Sequence, residues 1–228
     1  MKIIWFGHSC FRIETGKSNI LIDPFLKGNP VFEKSGITWD QATAGVTDVA
    51  LTHGHSDHIG DAGEICKARG ATLFANYELA MHVKTKGAEK LQPMNTGGTV
   101  GGADFELTLV NALHSSSDGA YLGNPCGIVI KPKDGPVVYH MGDTDMFGGM
   151  ALIAEFHQPT VGIVPIGDRF TMGAKSAAFT CKKFFKFQTI FPCHYGTFPI
   201  IDATADKFVA EMKGYPVVVP TVGSPVAV

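Results

Sequence analysis

The chain has 228 residues, enough for one large domain with a sizeable core. Hydrophobic residues make up 45% and charged residues 18%, a balance that excludes a disordered chain. The formal net charge of −2 excludes a general attraction to nucleic acid or anionic membrane, and no apolar stretch approaches the ~20 residues that cross a bilayer.

Short apolar runs, each ending in Gly, His, Asp or Pro, set the element pattern. Ile3–Phe6, Cys10–Glu14 and Asn19–Ile22 read as an opening meander of strands. His8 and Arg12 interrupt the apolar N-terminus and no small-residue cleavage site follows, so this segment reads as a first strand, and the protein as cytoplasmic. Val49–Thr52 is a buried strand leading into a helix from about His58 to Arg69, stopped by Gly70. Thr72–Ala75 and Phe105–Ala112 are strands, Tyr77–Lys86 is a helix, and Gly97-Gly98 and Gly101-Gly102 mark turns.

The second half repeats the scheme. Strands at Gly127–Lys131, Val137–Met141, Val161–Ile166 and Thr189–Cys193 alternate with helices near Met150–His157, Ala174–Phe187 and Thr204–Met212, and Pro216–Val219 is a final strand. Two halves of strands followed by helices predict an α/β sandwich of sheets with helices outside, in a single domain over residues 1–228. Cys10, Cys66, Cys126, Cys181 and Cys193 are odd in number and form no C-x-x-C pair, which suggests reduced thiols in place of a disulfide framework.

The chemistry concentrates in His53-Gly54-His55-Ser56-Asp57-His58. His53 and His55 share a face only on extended backbone, whereas His55 and His58 suit the first turn of a helix. A strand-to-helix junction meets both conditions and crowds three imidazoles and the Asp57 carboxylate into a small volume. A divalent cation relieves that crowding, since imidazole and carboxylate are ordinary ligands of zinc, manganese and iron. Four ligands from one loop would crowd a single cation, so further ligands should come from elsewhere. Polar residues just after buried strands are candidates for the rest: His114, Asp143 and His194. His140, in a strand, reads as a residue behind the ligands, and His82 and His157 as ordinary helix residues.

The order H-x-H-x-D-H, then a single His, a single Asp and a last His, resembles the metallo-β-lactamase superfamily. Gly7-His8-Ser9, Leu21-Ile22-Asp23-Pro24, His114-Ser115-Ser116-Ser117, Gly142-Asp143-Thr144, the segment Gly167–Gly173 and His194–Pro199 resemble its branch of small stand-alone metal-dependent hydrolases, related to the lactonase that opens ascorbate 6-phosphate. The resemblance implies a four-layer αββα sandwich with the site at one edge of the two sheets. It implies one metal on His53, His55 and His114, another on Asp57, His58 and His194, Asp143 as the bridge, and Asp23 as the residue that orients the metal loop.

Two cations so placed can hold a bridging water and deprotonate it near neutral pH, so no Ser or Cys nucleophile is needed, and Ser115-Ser116-Ser117 reads as a loop or a substrate contact. The expected cofactor is two divalent ions per chain, zinc first, with manganese or iron as alternatives. Asp57 is a catalytic candidate as ligand or base, and His8 and Tyr195 are candidates for proton donation to the leaving group. Arg169, between Gly167 and Gly173, could bind a phosphate or carboxylate of the substrate, the alternative being a salt bridge with Asp168. The expected function is hydrolysis of an ester, lactone or similar bond in a small, anionic metabolite. The rivals are a phosphodiesterase or nuclease of the same superfamily, an iron-dependent oxidation, and a non-catalytic metal-binding protein. Expected partners are a small-molecule substrate and further copies of the chain in a homo-oligomer, with no nucleic acid and no membrane.

Overall fold

Alternation along the first strands decides which side chains each face of the sheet buries. In the computed structural model, which describes residues 1–228, β1 (Lys2–Trp5), β2 (Phe11–Glu14) and β3 (Asn19–Ile22) form an antiparallel meander. β4 (Asp48–Ala50), β5 (Thr72–Asn76) and β6 (Lys90–Met94) add to it in parallel, and β13 (Pro225–Ala227) closes the other edge against β1. The second sheet holds β7 (Thr99–Gly101), β8 (Phe105–Asn111), β9 (Cys126–Pro132) and β10 (Val138–His140) in antiparallel order. β11 (Val161–Pro165) and β12 (Thr189–Cys193) extend it in parallel from β10.

Ile20 and Ile22 of β3 and Ala50 of β4 face the apolar cluster between the sheets, with Leu107, Leu109, Ile128 and Ile130 across from them. The intervening Leu21, Val49, Leu51 and Leu73 point the other way. There they pack on α4 (Ala62–Arg69) and α5 (Tyr77–Lys84). α6 (Met150–His157), α7 (Ala174–Phe184) and α8 (Asp206–Glu211) contribute buried residues to the other cluster, at the second sheet. The order is helix, sheet, sheet, helix, as expected from the sequence.

Strand direction explains where the polar residues gather. β1, β3, β4 and β5 run the same way in one sheet, and β8, β10, β11 and β12 do so in the other. Asp23 and His194 directly follow β3 and β12, and His8, His53, His114 and Asp143 each come three residues after β1, β4, β8 and β10. Loops from both sheets therefore bring these residues to a single edge.

Several elements differ from expectation. The helix expected from His58 to Arg69 is two, α3 (Ser56–Ile59) and α4, broken at Gly60 with φ +41°. The chain here packs directly on residues 24–25: a Cβ at Gly60 would lie 2.4 Å from the Pro24 carbonyl oxygen and 2.6 Å from the Phe25 Cα. α7 stops at Phe184 because Phe185 turns extended and stacks on Phe187 at 4.6 Å. The strand expected over Pro216–Val219 is a single bridge between Val217 and Ile190, and β13 supplies the terminal pairing. β6 and β7 were not anticipated, nor were α1 (Pro30–Glu33) and α2 (Trp39–Thr43). The N-cap Asn29 before Pro30 and the Thr38–Gln41 capping box are the signals that mark those two helices.

Gly60 thus fixes how the loop bearing His53–His58 docks on residues 24–25. Gly60→Ala adds a backbone clash to a backbone angle that side chains rarely adopt, and urea unfolding should show a loss of roughly 2–5 kcal/mol. A loss below about 1 kcal/mol would mean that the Pro24–Phe25 backbone moves aside freely.

Candidate metal centre

The metal loop starts two residues before His53, where the chain leaves β4 still extended. His55 is the N-cap of α3 with φ −74° and ψ 150°, and Asp57 and His58 lie in that helix's first turn. The strand-to-helix junction expected from the spacing is what forms. Gly54 is required here because a Cβ would come within 2.5 Å of Leu122, and the Gly54 N–H donates to Ser116 Oγ at 3.0 Å.

The structure brings all seven expected ligand residues together. Nε2 of His194, His58, His114 and His53 lies 3.0, 3.3, 3.6 and 4.0 Å from a single oxygen, Oδ2 of Asp143. His53 Nε2 is 3.0 Å from His55 Nδ1, and Asp57 Oδ2 is 3.9 Å from His58 Nε2. One carboxylate oxygen has too few lone pairs to accept from four imidazoles. Oδ1 of Asp143, Nε2 of His58 and Nδ1 of His194 are buried without a hydrogen-bond partner. Three groups have ligand atoms within 4.8 Å of one another: His53, His55 and His114; His53, His58 and Asp143; and His8, Asp57, His58 and His194. Buried polar atoms left so poorly paired, in a set of imidazoles and carboxylates, fit divalent cations.

The electrostatics agree. Burial lowers His53 well below its ordinary value, with His58 adding to the effect, and burial also lowers His55 and His114. Each shift favours the neutral ring that ligation requires. Burial works against ionised Asp143, but His194 and His58 hold it well below the usual carboxylate range. Asp57 also ends below that range, with burial outweighed by His58 and by the bond to His8. His58 moves the other way: burial opposes its charge, but Asp143, Asp23 and Asp57 together hold it well above its ordinary value. Three carboxylates around one buried ring mark a place that favours positive charge.

Asp23 is the strongest support behind the ligands. It is fully buried with φ +44° and accepts from the Thr52 N–H at 2.8 Å, the Thr52 hydroxyl at 2.6 Å and His58 Nδ1 at 2.8 Å. Thr52 in turn meets His53 Nδ1 at 2.9 Å. Thr52 was not singled out from the sequence; Ser116, read there as a loop or substrate contact, instead holds the Gly54 N–H, and Thr197 stood only within a family segment, with no role given to it. His140 bridges Ser9 O and the Gly142 N–H beneath Asp143, behind the ligands as expected. Cys193 is fully buried in the core and offers no ligand atom to the metal groups.

The catalytic candidates fare unevenly. Asp57 is 23% exposed in its side chain and sits with His55 and His114 on the open side of the site. His8 is fully buried, with both ring nitrogens engaged by Thr197 and Asp57, so the structure gives it other partners than a leaving group. Tyr195 turns into the core and stacks on Trp5 at 5.3 Å, and its hydroxyl bonds none of the ligands. Burial pushes that phenol up. Arg169 is exposed at φ +55° and its guanidinium lies over Phe170, forming no salt bridge with Asp168. Its loop is packed on the site, since a Cβ at Gly167 would fall 2.0 Å from the His194 carbonyl oxygen. Ser115 Oγ lies 3.2 Å from His55 Nε2 on the exposed rim.

Residues 2–194 match the family described as the beta-lactamase superfamily domain. The chain is 56% identical over 222 residues to a metal-dependent hydrolase of Brucella abortus, covering 95% of this chain and 93% of that one. The chain belongs to this family. A metal-dependent hydrolase of Methylocella silvestris is 54% identical over 219 residues, covering 94% of this chain and 93% of its own. Among solved structures, a metallo hydrolase from the hyperthermophilic archaeon Ignicoccus hospitalis superposes with a TM-score of 0.88 at 34% identity, over 99% of this chain and 97% of that one. A diiron beta-hydroxylase from Streptomyces venezuelae shares the fold alone, with a TM-score of 0.79 at 14% identity over all of this chain and 54% of that one. The family and the site together identify a metal-dependent hydrolase of the metallo-β-lactamase fold.

Asp23→Asn keeps the shape but cannot accept the same three hydrogen bonds. Metal affinity, measured by competition with a chelator, should fall about tenfold to a hundredfold. Unchanged affinity would show that the loop is held without Asp23.

Proposed function

We propose that this hydrolase holds two divalent cations and cleaves an ester, lactone or similar bond in a small, anionic metabolite. The convergence of imidazoles from both sheets on the one buried carboxylate of Asp143 carries this reading. His53, His55 and His114 would hold one cation, Asp57, His58 and His194 the other, and Asp143 would lie between them. Zinc suits the imidazole-rich set first, with manganese and iron as alternatives. Such a pair supplies an activated water and stabilises negative charge developing on the substrate.

The protein's own part is positional. Asp23 and Thr52 fix His58 and His53, and Ser116 fixes the backbone between His53 and His55. Substrate approaches over His55, Asp57 and His114, the half-buried members of the set. Arg169, exposed with no salt bridge on a loop packed against His194, would bind an anionic group with its planar fork.

The deciding experiment is a screen of esters, lactones and phosphodiesters on protein whose metal content is measured alongside. No bound metal after reconstitution with zinc, manganese or iron would end this reading. Asp143→Asn should lower turnover by more than about a hundredfold while the unfolding midpoint of the metal-stripped protein moves little, because the amide cannot balance two cations. Full turnover with two metals bound would remove Asp143 from between them. Arg169→Ala should raise KM on an anionic substrate about tenfold to a hundredfold, the loss of one charge-assisted contact, and Arg169→Lys should recover only part of it. An unchanged kcat/KM in Arg169→Ala would make the loop purely structural.

A further inference from the structure

The hydrogens of two threonines bear on which nitrogen each neighbouring histidine presents. Thr52 has one hydroxyl hydrogen and gives it to Asp23 Oδ2 at 2.6 Å. Its oxygen must then accept from His53 Nδ1–H, which leaves the His53 Nε2 lone pair facing the metal site. The same chain recurs at His8. Thr197 donates to the Tyr195 carbonyl oxygen at 3.3 Å, an atom that can only accept. With the hydroxyl on that partner, Thr197 Oγ1 accepts from His8 Nδ1–H at 2.9 Å and the His8 Nε2 lone pair points at Asp57 Oδ2, 3.1 Å away; in the other tautomer Nε2–H donates to Asp57.

In the first tautomer two lone pairs face each other, an arrangement that a cation beside them would relieve. The His8 ring has nowhere else to go. It is fully buried, lies 4.1 Å from the His194 ring, and meets Phe25 and Phe198 at 6.1 and 5.4 Å. Its backbone is held at φ +51°, which side chains rarely adopt, while its carbonyl accepts from Trp5 Nε1 at 2.9 Å and from the His194 N–H at 3.2 Å. Nε2 of His8 is also one of four ligand atoms, with those of Asp57, His58 and His194, that lie within 4.8 Å of one another.

We propose that His8 is an eighth metal-coordinating side chain, the third imidazole on the cation held by Asp57, His58 and His194. The inference rests on the two-cation reading given above. It makes the two positions unlike in their surroundings: His55 and His114 leave one half-open to solvent, while His8 seals the other on the side of β1.

The test counts nitrogens directly. Wild-type protein, with its histidines labelled and loaded with an NMR-active cadmium isotope, should show two cadmium signals, each coupled to three imidazoles. Two cadmiums with only five coupled imidazoles would overturn the role of His8 alone, whereas a single cadmium per chain would overturn the two-cation reading itself. In a second measurement, cobalt titrated into H8Q should bind normally at the first position and lose more than about a hundredfold in affinity at the second. A loss within the tenfold to hundredfold typical of removing a group that merely orients a ligand would assign His8 to Asp57 as a hydrogen-bond donor and overturn the proposal.

Discussion

The carboxylate of Asp23 is the contact on which both fold and site depend. It sits at the end of β3, takes the first backbone N–H beyond Leu51, and reaches across to the ring of His58 in α3. Strand, loop and helix are thus joined at one fully buried carboxylate that accepts three hydrogen bonds. Burying an acceptor this deep is tolerable because those donors replace water. The left-handed backbone at Asp23 is part of the same arrangement, since it turns the chain sharply enough for Pro24 and Phe25 to meet Gly60.

The site was legible in the sequence to the extent that its residues had to be chemically distinctive. Imidazoles and carboxylates placed just after apolar runs mark strand ends, and the seven residues expected as ligands all meet at one edge. The supporting hydroxyls were not legible, because threonine and serine occur everywhere and their role depends on a neighbour distant in sequence. Thr197, which meets His8 from 189 positions away, is an example. Tyr195 looked like a site residue for its place beside His194, but the chain turns left-handed at His194 and the Tyr195 ring packs into the core on Trp5. In the fold, long apolar runs were clear, whereas β6, with Lys90, Gln92 and Pro93 along it, has too little hydrophobic pattern to announce an edge strand.

Sequence position also fails to separate the two functions a glycine can serve here. Gly54, Gly60 and Gly167 all lie on site loops, and each admits a close approach that a Cβ would block: Leu122, the Pro24 carbonyl and the His194 carbonyl, respectively. Only Gly60 of the three needs an unusual backbone angle as well. The loops around the site are therefore packed closely on their neighbours at these three points, which limits how far they can move apart.

That constraint is shared between the two sheets. His53, His55, Asp57 and His58 come from loops of the first sheet, and His114, Asp143 and His194 from the second. Asp143 lies within 4.0 Å of ring nitrogens on both sides, so any cation it touches ties the sheets at the edge where their loops would otherwise repel or gape. The apolar cluster between the sheets fixes their separation, and the polar edge then has little freedom to relax when ligands are unpaired. Metal binding and folding free energy are for that reason linked in this architecture: the core presses the ligands together, and the cation compensates the charge and lone-pair crowding that the core enforces.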